Sequence, residues 1–401
     1  MSRFPAFVAA LALFAIPAAA GAQAVEVTPL AAPDAFTTAG RNTGLPPTLW
    51  QGASLATAQT VLPLLAHKPL SPAAAALARR VLATGAPGPK GAGADPALAA
   101  ARADALIALG DPKAAAAILA RAPGLDRSAE LSRAAAESAL LAGDDARACA
   151  AEEALTVGRD DVYWLRLRTY CQAIGGHADQ AQLTFELAQA QAKDPVFARL
   201  MAAKLAGAGS PGAASLRNGL DYALSRSLGL DLAAAKPAPA VAAALAVADP
   251  AEPAWPSPPG DDDLSATVRA LIAGQAPAAG VVDRLLDAAA HADAKARPRA
   301  EAVALLTAAL VGVPGTEARS RIAALSVPDG KAPAGRNFAL EAAAQEKQMG
   351  ETALLALWTC ADAGAAGPAV GDRARLVGAL RAAGLEADAR AFAVEGLLAL
   401  K

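Results

Sequence analysis

Between Asp95 and Ala192 the chain reverses at evenly spaced glycines. Gly110, Gly143, and then Gly175 or Gly176, are separated by 33 and by 32 or 33 residues. Such a period belongs to stacked two-helix units, because a single unit cannot bury its apolar side alone. Each corner carries its own punctuation. An apolar run ends at Leu109, and Gly110 can take the left-handed conformation that closes a helix. Asp111 can then accept backbone N–H groups as the next N-cap, and Pro112 suits a first helical position. Ala142-Gly143-Asp144-Asp145 repeats the pattern, and Ile174-Gly175-Gly176-His177 gives a weaker form of it.

Small residues follow at a fixed offset: Ala115, Ala148 and Ala181 each lie five positions after a corner glycine. A small side chain there lets the two helices of a hairpin approach closely. This grammar resembles the tetratricopeptide repeat, whose unit of about 34 residues is a helix–turn–helix. Phe185 and Ala188 match the family's second-helix aromatic and small positions, counting from Gly176; Trp164, Leu167 and Cys171 match first-helix positions, counting from Gly175. The two counts differ by one, which implies a one-residue insertion in that turn. Arg168 stands where the first two units carry Ala103 and Ala136. The last hairpin repeats the grammar, with Leu376 and Leu380, Gly384, Ala389 and Gly396. The resemblance implies an all-α fold, an α-solenoid of stacked antiparallel helix hairpins, whose first helices line a groove where peptides dock.

Composition agrees with helices. The hydrophobic fraction of 54% comes mostly from alanine, and aromatics are 4%. Alanine has the highest helix propensity and buries little surface, which favours thin, closely packed layers. The expected organisation is a leader over 1–24, an extended arm over 25–46 and a helical-repeat domain over 47–248, with its clearest units at 95–192. A proline-rich linker at 249–262 and a second helical-repeat domain at 263–401 complete it. Expected helix starts include Pro46-Pro47 (running to about Leu65), Ser71 as a cap, and Ala213 (running to about Leu228). Asp261-Asp262-Asp263 reads as a helix cap rather than a calcium loop, since EF-hand spacing is missing.

The first residues read as a secretory signal: Arg3, an apolar stretch from Phe4 to Ile16, and small-x-small sites that would cleave near Ala22 or Ala24. The alternative is a retained anchor. The expected location is periplasmic or secreted, in a bacterial envelope. Pro237–Ala248 and Ala302–Val313 are too short for a span of about 20 apolar residues, so no integral membrane span is expected after cleavage. Net charge is −2, and loss of Arg3 with the leader would make it −3. Basic residues are scattered, which argues against nucleic acid as a partner.

Three cysteines remain after such cleavage. Cys149 and Cys171 are equidistant from residue 160, in the turn from Val157 to Asp161. In antiparallel helices joined there the two lie level, so a disulfide is the expectation in an oxidising compartment. The bland reading makes them small buried residues. Cys360, beside Trp358, reads as buried and unpaired.

Chemistry is sparse. His67, His177 and His291 have no metal-ligand spacing, so no metal is expected. No G-x-S-x-G elbow, Walker loop or dinucleotide fingerprint occurs, so no cofactor and no catalytic residue are assigned. Glu137-Ser138 resembles the Glu-Ser pair of soluble lytic transglycosylases, but that family's other motifs are missing and the match reads as chance. Glu152-Glu153 reads as a solvated face. One cluster rises above this background: Tyr163, Arg166 and Tyr170 share a helical stripe, with Trp164 and Leu167 directed inward. Aromatic and Arg residues anchor interfaces, so the stripe is the candidate partner-binding patch; the competing reading is a heavier core layer. The leading function is a non-enzymatic adaptor or scaffold binding a protein or peptide in the envelope. Two alternatives are a structural part of an envelope machine and a cell-wall glycan-cleaving enzyme. Oligomeric state is not legible.

Overall fold

The computed structural model describes residues 34–120, 122–207, 210–246, 252–313 and 315–400. The expected leader and the first residues of the expected arm lie outside them, as does part of the expected linker. The described residues are all-α, with no strand among them. The first series is α1 (Leu55–His67), α2 (Pro72–Ala83), α3 (Pro96–Ala108), α4 (Pro112–Leu119), α5 (Ala129–Ala142), α6 (Asp145–Ala154), α7 (Val162–Ile174), α8 (Ala178–Gln191) and α9 (Pro195–Ala206). Two short helices follow, α10 (Gly219–Ser227) and α11 (Pro239–Leu245). The second series is α12 (Asp263–Ile272), α13 (Val281–His291), α14 (Arg297–Val311), α15 (Thr316–Ala323), α16 (Ala334–Gln345), α17 (Met349–Ala363), α18 (Val370–Ala382) and α19 (Glu386–Ala399).

The hairpin corners follow local chemistry. Gly110, Gly143 and Gly176 have φ of +83°, +81° and +80°. Gly176 therefore supplies the third corner, while Gly175 closes α7 with right-handed geometry. Asp111 and Asp144 cap the helices that follow, accepting from Ala114 N–H (3.2 Å) and Arg147 N–H (3.0 Å). Ala115, Ala148 and Ala181 are fully buried, so α3–α4, α5–α6 and α7–α8 pack closely as pairs. Between pairs, α3 packs on α1 and α5, α4 on α5, and α6 on α7.

The second series does not continue beyond α9. It packs against the start of the first: α17 against α1 and α2, and α19 against α2. One apolar core accordingly runs through both series, joining residues such as Leu62, Leu77 and Leu106 to Leu354, Leu380 and Phe392. Glutamates of the second series cap helices of the first. Glu351 accepts from Ser54 N–H at 2.8 Å and from the Thr57 hydroxyl at 2.7 Å, at the start of α1. Glu395 accepts from Ala73 N–H at 3.1 Å and from the Ser71 hydroxyl at 2.9 Å, at the start of α2. Ser71 therefore does not cap its own helix as expected; its hydroxyl is drawn to Glu395.

Other sequence expectations shift as well. The helix expected from Pro46 begins only at Leu55, because turns over 47–52, ending at Gly52 (φ +79°), precede it and Ser54 caps it. The helix expected from Ala213 begins at Gly219, where Asn218 accepts from Asp221 N–H. The described part of the expected arm is pinned down. Phe36 is buried and meets Trp50 edge-on with centroids 5.7 Å apart. Arg102, fully buried, donates to three carbonyls: Ala35 (2.6 Å), Leu82 (2.8 Å) and Thr84 (2.8 Å). Asp262 caps α12 through Ser265 N–H at 2.7 Å, as expected of the acidic run.

Candidate functional site

Beyond α9, the described residues 210–246 lie back across the first series. There α10 packs on α5, and α11 packs on α3, α4 and α5. Leu220 and Asp221 of α10 and Ala240 of α11 thereby wall one side of a cavity of about 680 Å³. The other walls come from successive helices of the first series. Their contributions are His67 from α1, Asp104 and Ala108 from α3, Arg133 and Glu137 from α5, Tyr163 and Arg166 from α7, and Phe197 from α9. The spacing of the hairpins is what places these residues side by side, since each first helix offers one turn to the same side.

Tyr163 and Arg166 are in this cavity. The Arg133 guanidinium lies over the Tyr163 ring, 4.7 Å from its centroid. Arg166 lies over the Phe197 ring at 5.6 Å, donates to Ala192 O at 3.0 Å and pairs with Asp194 at 3.5 Å. The cation–π contacts fix both guanidinium planes against aromatic faces. Glu137 accepts from Gly219 N–H at 2.8 Å and so holds the start of α10. Burial raises the Glu137 carboxyl above its usual range, with that N–H pulling the other way. Tyr163 is pushed up well beyond a usual phenol, first by burial and then by the charge of Glu137. Its hydroxyl is shut from solvent and faces the Glu137 carboxyl.

Tyr170 is not brought together with them. It is 0% exposed and belongs to the core formed with Trp164, Leu167, Leu200 and Leu224. The reason lies in α10, which covers that end of the stripe. Burial also raises its phenol. Trp164 and Leu167 are buried in the same core.

Cys149 and Cys171 are bonded across the α6–α7 pair, with Cα atoms 5.6 Å apart. Cys360 is free and buried, and burial raises its thiol. Beside the disulfide, Glu152 is buried rather than solvated. It accepts from Arg168 at 2.7 Å and from Arg159 at 3.1 Å, so the arginine that departs from the small-residue pattern is matched by a carboxylate on the neighbouring helix.

Reading the sequence missed Arg133, Asp104 and Glu137 as neighbours of Tyr163. A signal existed: counted from their corner glycines, these residues lie on the first helices of consecutive units. Reading each helix separately concealed it. Among the described residues no group of His, Cys, Asp and Glu is placed to hold a metal ion, and no helix is long and apolar enough to cross a membrane. No family model matches the chain, and no curated protein or solved structure matches it.

Proposed function

We propose that this is an exported, TPR-like α-solenoid that works as a protein-binding adaptor or scaffold in the bacterial envelope, and that the cavity beside Tyr163 is its docking groove. The observation that carries this reading is the groove's construction: first helices of consecutive hairpins present a tyrosine, two arginines and a phenylalanine to one space of about 680 Å³. Aromatic and Arg residues set in a concave surface are the usual energetic anchors of recognition. The disulfide supports an oxidising compartment. The leader-like first residues support export.

The test is recovery of partners from envelope extracts by wild type, by Tyr163→Ala/Arg166→Ala and by Ala108→Trp, which fills the groove without touching the Arg166 contacts. Loss of the same partners in both variants is expected. Undiminished recovery in both would refute the groove.

One observation favours a second reading, a structural part of a larger assembly. Leu183 and Leu187, one turn apart on α8, are 62% and 54% exposed. Exposed apolar pairs of this kind suit permanent contacts. Light scattering separates the readings: a monomer unaffected by Leu183→Glu/Leu187→Glu leaves the adaptor reading standing alone.

A further inference from the structure

The charges lining the cavity are not balanced. Asp194 is met by Arg166 and Arg217, and Asp221 by Arg217 at 2.5 Å, so those two carboxylates are neutralised. Glu137 is committed to the Gly219 N–H and to the Tyr163 hydroxyl. Three carboxylates remain. Asp104 on α3 keeps an exposed edge; desolvation by its surroundings raises its carboxyl, with Arg133 and His67 acting the other way. Glu130 on α5 is exposed and accepts from the Ser128 hydroxyl at 3.1 Å. Asp161 is exposed at the start of α7, where it caps Tyr163 N–H. Against them stands Arg133, whose guanidinium is spread over the Tyr163 ring. Glu130 and Asp161 also favour the starts of their helices, yet both remain open to solvent and to a ligand. Asp104 has no such helix end to serve.

Resting on the groove reading above, we infer that the occupant is a cationic polypeptide segment, with Lys or Arg side chains that meet Asp104, Glu130 and Asp161. The faces of Tyr163 and Phe197 already carry Arg133 and Arg166, so an incoming cation is met by the carboxylates. An acidic segment would instead set its charges against three carboxylates. Like charges brought together across an interface select strongly against the wrong partner.

The test uses the full chain and three fluorescein-labelled synthetic peptides with one shared pattern of Ala, Leu and Tyr. Their variable positions hold Lys and Arg, Gln, or Glu. Fluorescence anisotropy on wild type should show the cationic peptide bound at least about tenfold more tightly than the neutral one, with affinity falling as salt rises. Asp104→Asn/Glu130→Gln, two exposed substitutions that leave the fold intact, should weaken it by about three- to tenfold. Ala108→Trp should abolish it, with circular dichroism confirming that the variant is folded. Equal binding of all three peptides, lost in Ala108→Trp, would overturn the charge assignment and leave the groove. Tighter binding of the acidic peptide would do the same. Cationic binding that survives Ala108→Trp would overturn the groove itself. Absence of binding by all three would overturn both.

Discussion

Arg102 shows how one side chain fixes a junction that helix periodicity does not describe. Its guanidinium sits over Phe36, 4.9 Å from the ring centroid, and satisfies carbonyls from the arm and from the end of α2. Burial brings its pKa down to about 9, which still leaves it charged at neutral pH. The carbonyl oxygens at a helix C-terminus carry the partial negative charge that makes this tolerable. Arg102→Met would leave three buried carbonyls unpaired, and chemical denaturation should show a loss of about 3–5 kcal/mol. Asp388 is a second such residue. It pairs with Arg80, but burial outweighs that attraction and raises its carboxyl to about 6. A raised carboxyl favours the folded state most when protonated. Its contribution is present in full below the unfolded value of about 4 and is lost as pH climbs through 6. Asp388→Asn should flatten the fall in stability between those two pH values, read by denaturation at a series of pH. At this scale the sequence was least legible: nothing local marks Arg102 or Asp388 as buried, because the groups that bury them lie far along the chain.

The element scale was the most legible. Corner glycines, aspartate caps and alanines five residues on are local signals with local consequences, and α3 to α8 follow them closely. Errors arose where the local signal was ambiguous. Pro46-Pro47 reads as a helix start, yet turns intervene before Ser54. The helix read from Ala213 starts only at Gly219, because Ser215 N–H is taken by the Ser225 hydroxyl and Asn218 supplies the cap. The α6–α7 disulfide illustrates both sides. The level positions of Cys149 and Cys171 about their turn were readable, whereas the Glu152–Arg168 pair beside it was not. Closing a loop with a sequence separation of 22 should contribute about 3 kcal/mol. Cys149→Ala/Cys171→Ala should lower stability by that amount, while Cys360→Ala, which breaks no bond, should cost less.

At the scale of the described molecule, the second series closes onto the start of the first. Glu351 and Glu395 cap α1 and α2 from about 300 residues away in sequence. A charged acceptor on a helix N-terminus stabilises both the helix and the docking that brings it there. Glu351→Ala should cost about 1–2 kcal/mol, whereas Glu395→Ala, which also leaves the buried Arg373 guanidinium without its partner at 2.6 Å, should cost about 3–5 kcal/mol; hydrogen exchange should quicken at the start of α1 in the first variant and of α2 in the second. This closure was invisible beforehand, since a glutamate on one helix says nothing about which distant helix it will meet. The groove likewise exists only once the hairpins are stacked and α10 and α11 have returned across them. Tyr163 and Arg166 could be singled out as unusual, but their company could not. Site-specific photocrosslinking in living cells addresses the groove directly, with a benzoylphenylalanine placed at position 163 and, separately, at position 153 on α6. The account predicts a discrete partner adduct from position 163 that the cationic peptide displaces and position 153 does not yield. An adduct from position 153 alone, or one from position 163 that Ala108→Trp leaves unchanged, would contradict it.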